Sequence, residues 1–138
     1  MTERQYLPTL ADLIDRLAIV QLKQIFIGEH ADEYGAERKL IEHDIDLILR
    51  DLPNQLTAKE VHAILMIMLS NRVIWENESK ARAGGTEQDK FLKFTHSING
   101  IRNRAKNIVA AFEEGRLDYK LDALAAELPS EFGHWNVI

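Results

Sequence analysis

Residues 57–69 read Thr-Ala-Lys-Glu-Val-His-Ala-Ile-Leu-Met-Ile-Met-Leu, and the fold class follows from this stretch. Thr57 and Glu60, three residues apart, form the capping-box pattern with which helices begin. The residues that follow are apolar nearly all round, as is typical of the most buried helix of a helical protein. We therefore predict a central helix over residues 58–83, which ends before a pair of glycines.

Apolar residues recur at three-and-four spacing in three further blocks, and no stretch alternates with the two-residue period of a half-buried strand. Thr9, with Asp12 three residues later, is the predicted N-cap of the first helix, and Asp32 that of the second. Short connections favour antiparallel neighbours, so we predict an all-α fold, an up-down four-helix bundle with a short C-terminal fifth helix. The predicted single domain covers residues 1–138, with helices over about 10–28, 33–52, 58–83, 87–114 and 118–128 and a tail over 129–138.

The composition of the 138-residue chain excludes several classes of protein. The absence of cysteine excludes a disulfide scaffold, a thiolate zinc site and a cysteine nucleophile, and it fits a reducing cytoplasm. A net charge of −5 argues against nucleic acid as the partner. The longest apolar run, residues 63–69, is far shorter than the roughly 20 residues that span a bilayer. We expect a cytoplasmic protein with no membrane partner.

Helical projection predicts which side of each helix is buried. In the second helix, Asp44 falls among apolar residues of the predicted face, and a buried carboxylate needs a partner. The predicted buried faces are Leu10, Leu13, Ile14, Leu17, Ala18 and Ile25 in the first helix, Leu40, Ile41, Leu47 and Ile48 in the second, and Phe91, Phe94, Ile98, Ala105, Val109 and Phe112 in the fourth.

Polar residues on or beside these faces suggest a ligand site between the third and fourth helices. We expect them to meet in a pocket for an anionic small molecule, because guanidinium groups bind phosphate and carboxylate through two hydrogen bonds. A second interpretation is an interhelical network in which Glu78 and Arg82, one turn apart, pair with each other and with Arg102. The candidate residues are Asn71, Glu78, Arg82, Asn99, Arg102 and Lys106.

Acidic residues of the first and third helices are candidate magnesium ligands of a nucleotide pyrophosphohydrolase-like enzyme. Asp12 and Asp15 have suitable spacing, but Glu76 and Glu78 are two residues apart and point about 200° apart on a helix. We predict no metal site and no particular cofactor, and the hydrolase remains one alternative.

Two patterns resemble a known family. They are Leu13-Ile14-Asp15-Arg16, and Asn71-x3-Trp75-x2-Glu78-x3-Arg82 followed by Asn99-x2-Arg102. Together they are similar to a family of uncharacterised all-helical proteins of tailed phages and bacterial surface-glycan gene neighbourhoods. The resemblance implies that three residues of the first helix, Asp15, Arg16 and Lys23, join the site.

The sequence thus predicts a binding module for a small anionic ligand, a nucleotide or sugar phosphate, that forms a homo-oligomer. An alternative is a protein–protein interaction module without a ligand, since Ile19, Leu22 and Phe26 lie away from the main apolar face of the first helix.

Overall fold

The computed structural model of the chain describes residues 7–82, 88–115 and 132–138. Within these ranges the regular structure is helical and there is no strand, so the predicted all-α class is confirmed. The helices are α1 (Leu10–Phe26), α2 (Ala31–Asp51), α3 (Ala58–Arg82) and α4 (Gln88–Glu114), with a 3-10 turn at Gly28–His30. Their ends fall within two residues of the predicted ones. The predicted fifth helix, over 118–128, lies outside the described residues.

Two of the predicted helix starts show their capping contacts. At α1 the hydroxyl of Thr9 accepts from the Asp12 backbone N–H at 3.2 Å, and the Asp12 carboxylate accepts from the Thr9 N–H at 3.3 Å. Before α3 the carboxylate of Glu60 accepts from both the N–H and the hydroxyl of Thr57, each at 2.7 Å. These contacts satisfy backbone donors that the first turn leaves open.

The predicted cap of α2 is wrong. The helix begins at Ala31, so Asp32 lies inside its first turn rather than before it. The 3-10 turn runs directly into the helix, and the N–H of Ala31 already donates to the carbonyl of Gly28. A side-chain cap at Asp32 is therefore not needed, although its charge still suits a helix N-terminus.

The contacts divide the chain into two compact units, one ending at Gln55 and the other beginning at Leu56. In the first unit α1 packs against α2, and in the second α3 packs against α4. Each unit is described by itself below. The four-helix bundle and the single domain stay predictions. None of the helices in the described ranges combines the length and apolarity that a membrane crossing requires.

The first unit has a core that differs from the predicted one in α2. Leu13, Val20 and Ile41 are buried together, and four half-buried residues pack around them: Leu17, Tyr34, Ile45 and Ile48. The face of α2 that meets α1 is therefore the 41, 45, 48 row, which confirms the predicted Ile41 and Ile48. Consequently the predicted core residues Leu40 and Leu47 are exposed, and so is Asp44, which pairs with His43 at 3.1 Å.

Helix α1 is also buried differently from the prediction at its C-terminal end. Ile25, placed in the core by its spacing, is 63% exposed. Leu22, expected on a free apolar face, is only 2% exposed. Leu22 is therefore removed from the surface on which self-association was predicted.

The second unit buries one side of α4 and one side of α3. The buried apolar residues are Phe94, Ile98, Ile101, Ala105, Ile108, Val109 and Ala111 on α4, and Ala63, Met66, Ile67 and Ile74 on α3. The start of α3 is not buried all round as predicted, because Val61, Leu65 and Leu69 are about half exposed or more. These three residues, four apart, form one row along the helix.

Candidate functional site

The six candidate residues of α3 and α4 are called the seam below. At its centre is a hydrogen bond between the two helices. Nη1 of Arg102 donates to Oδ1 of Asn71 at 2.8 Å. Asn71 is 4% exposed and Arg102 is half-buried. The pair joins two helices that are connected by few residues and therefore run antiparallel.

The flank of α4 around Arg102 is polar because of its residue spacing. Thr95, Asn99, Arg102 and Lys106 are separated by four, three and four positions, so they lie on one side of the helix. Thr95 is 9% exposed, and the other three are half-buried. The predicted seam on α4 therefore exists as a partly buried row of polar side chains.

The guanidinium of Arg102 has an incomplete set of partners. Its Nε is buried and has no hydrogen-bond partner within the described ranges, and its Nη1 is bound to Asn71, a neutral amide. The hydroxyls of Ser70 and Thr95 are likewise buried without a partner in that part of the chain. A half-buried charge with a neutral partner is costly, because burial removes water and no opposite charge replaces it.

The six seam residues do not converge on one point. Glu78 is exposed and lies seven residues beyond Asn71, about 10 Å along α3. Lys106 lies one turn beyond Arg102, about 6 Å along α4, and the antiparallel packing carries it away from Glu78. The side chain of Arg82 lies outside the described residues, so its pairing with Glu78 stays a prediction. The structure brings together Asn71 and Arg102, with Asn99 and Lys106 one turn to either side.

The three candidate residues of α1 line a separate groove in the first unit. Its volume is about 520 Å³, and Asp15, Arg16 and Lys23 line it together with the apolar residues Leu13 and Val20. Arg16 is bound to Glu37 of α2, with Nη2 at 2.8 Å and Nε at 3.2 Å from Oε1. The groove belongs to the first unit and the seam to the second, and a common site stays a prediction.

Sequence reasoning missed two residues that matter to these surfaces. Glu37 reaches Arg16 across 21 positions, a pairing that depends on how α2 is rotated against α1. Arg104, which the predicted site leaves out beside Arg102 and Lys106, is only 5% exposed. Its spacing of two from Arg102 was a usable signal, since residues two apart face different sides of a helix.

Within the described residues, no group of three or more His, Asp and Glu side chains is arranged to hold a metal ion. Asp12 and Asp15 of α1 both line the groove of the first unit, where Asp12 also caps its helix and Asp15 is half-buried. The nucleotide pyrophosphohydrolase alternative stays a prediction.

No family model, curated protein or solved structure matches this chain. The resemblance to the phage and surface-glycan family therefore stays a prediction.

Proposed function

We propose that this protein is a binding module for a small anionic ligand, and that Arg102 of the α3/α4 hairpin is the residue that contacts the anion. One observation carries the proposal. The guanidinium of Arg102 is half-buried, and its hydrogen-bond partner in the described ranges is the neutral side chain of Asn71. An anion would supply the charge that this partner lacks.

The position of the Asn71 contact favours a two-pronged ligand. Asn71 occupies Nη1, which leaves the edge formed by Nε and Nη2 without a hydrogen bond to the described residues. That edge matches two oxygens of a phosphate or carboxylate once the side chain moves enough to open Nε, which is closed to solvent in this structure. Arg16 of the same chain presents the corresponding edge to the carboxylate of Glu37. Asn71 therefore acts as an orienting partner.

Neighbouring residues of α4 would extend the site. Lys106, one turn after Arg102, adds a second positive charge, and Asn99, one turn before it, adds an amide for hydroxyl or base groups. Two cations and an amide within about 10 Å along one helix suit a nucleotide or a sugar phosphate better than a single carboxylate.

The test is a thermal-shift and calorimetric titration of the full chain. The probes are inorganic phosphate, a nucleoside triphosphate, a sugar phosphate and a dicarboxylate. A probe at 100 times its Kd stabilises the protein by about 2.7 kcal/mol and raises the Tm. We expect Arg102→Met to abolish this shift.

The matched control is Arg72→Met. Arg72 lies on α3, in the same helix pair as Arg102, and its Nη2 is paired with Oε1 of Glu76 at 2.8 Å. It should leave binding unchanged. The proposal is wrong if no probe shifts the Tm, or if Arg102→Met and Arg72→Met lower the affinity equally.

A second proposal is self-association, which the half-exposed row Val61, Leu65 and Leu69 of α3 supports. Sedimentation of the wild type and of Leu65→Glu tests it. A wild type that stays monomeric at high concentration would contradict it.

The cytoplasmic location is likewise proposed, on the absence of cysteine from the chain.

A further inference from the structure

The C-terminal segment, residues 132–138, is anchored to the second unit by aromatic contacts. Phe132 stacks on Phe94 of α4, with ring centroids 4.2 Å apart and planes 10° from parallel. Trp135 meets the same Phe94 ring edge-on, at 6.3 Å between centroids. Trp135 also donates from Nε1 to the carbonyl of Phe132 at 2.7 Å, which holds the two aromatic side chains in one arrangement.

A buried arginine holds the other end of the segment. Arg104 of α4 is 5% exposed, and its Nη2 donates to the main-chain oxygen of Ile138 at 2.7 Å. Its Nη1 lies 3.3 Å from Oδ1 of Asn136. Phe94 and Arg104 are ten residues apart, about 15 Å along α4. The segment is folded into turns between these two anchors, since the N–H of Val137 donates to the carbonyl of Trp135 at 2.8 Å.

We propose that Phe94 and Arg104 form a receptor site for a short aromatic segment, and that the C-terminal segment of a second copy of this chain can occupy it in place of the chain's own. The contacts above are made by the segment and α4 alone. The same contacts form whichever copy supplies the segment, so exchange between copies costs little beyond association.

The length of the connection permits this exchange. Sixteen residues lie between Gly115 and Phe132, and they span up to about 55 Å when extended. The distance from Gly115 back to Phe94 along α4 is about 32 Å. The connection is therefore long enough to reach the chain's own site without being restricted to it.

The segment also packs incompletely. A groove of about 250 Å³ remains between it and Met66 and Leu69 of α3, and Val137 is 55% exposed. Gly133 has a φ of +105°, which other residues rarely adopt, so the site selects a glycine after the first aromatic residue. The recognised pattern is Phe-Gly-x-Trp-Asn, followed two residues later by a main-chain oxygen that Arg104 binds.

The experiment uses a fluorescein-labelled peptide of residues 132–138 and the full chain, followed by anisotropy. In the wild type the chain's own segment competes with the peptide. We expect Trp135→Ala, which weakens that segment, to bind the peptide about tenfold more tightly than the wild type does. Adding Arg104→Lys to Trp135→Ala keeps the charge but not the two-pronged geometry. The double variant should therefore bind the peptide about tenfold more weakly than Trp135→Ala does.

The control adds Arg72→Met to Trp135→Ala and should leave the affinity for the peptide unchanged. Circular dichroism checks that each variant keeps its helices. The receptor site is refuted if the helical Trp135→Ala chain does not bind the peptide, or if Arg104→Lys has no effect.

Occupancy by a second copy is tested by sedimentation: the wild type should dimerise with rising concentration, and Trp135→Ala should dimerise at least tenfold more weakly. A wild type that binds peptide in trans yet stays monomeric refutes the exchange.

Discussion

Replacing Arg102 with methionine separates a ligand-binding arginine from one that belongs to a structural ion network. The structure shows one hydrogen bond, from Nη1 to Asn71 at 2.8 Å, and a buried Nε without a partner among the described residues. A hydrogen bond that involves a charged group contributes about 1.5–3 kcal/mol. Methionine keeps the length of the aliphatic stem and removes the buried unpaired Nε, which offsets about 1 kcal/mol of that loss.

We therefore expect Arg102→Met to lower the free energy of unfolding by only about 1 kcal/mol. Removing the other partner, by Asn71→Leu, leaves the guanidinium without its amide. This variant should lose more of the free energy of unfolding, about 2–3 kcal/mol. In the double variant both polar partners are gone, so its loss should be smaller than the sum of the two single losses by about 1 kcal/mol.

Urea unfolding followed by circular dichroism measures these values, provided that the m-value is unchanged among the variants. A loss of 3–5 kcal/mol in Arg102→Met is the result expected for one partner of a buried ion pair, and it would refute our account of Arg102. Strict additivity in the double variant would show that the Asn71 contact contributes nothing.

Two further predictions concern the scaffold. Ile98→Ala should lower the free energy of unfolding by about 2–5 kcal/mol because Ile98 is fully buried. Ile25→Ala is the same change at 63% exposure and should lower it far less. Equal losses in urea unfolding would contradict the burial of Ile98. Thr9→Ala removes the hydroxyl that accepts from the Asp12 N–H and should cost about 1 kcal/mol, and rescue by Thr9→Ser but not by Thr9→Val would confirm that the hydroxyl is responsible.

The seam was partly predictable because its residues are spaced along single helices. The four-three-four spacing of Thr95, Asn99, Arg102 and Lys106 places them on one flank of α4, whatever lies opposite. That Arg102 bonds Asn71, and that Glu78 stays exposed, depends on the register between two helices. A one-helix projection contains no information about that register.

The sequence alone determined where the helices lie, because helix ends depend on local chemistry. Thr9 with Asp12, and Thr57 with Glu60, satisfy open backbone groups within one turn, and the apolar period extends each helix from there. Tertiary structure decided which side of each helix is buried. In α2 the predicted Ile41 and Ile48 pack against α1 while the predicted Leu40 and Leu47 are exposed, since the choice between adjacent apolar rows is made by the partner helix. The role of Arg104 was decided in the same way: its partners are 32 and 34 positions away, and only the folded chain brings them to it.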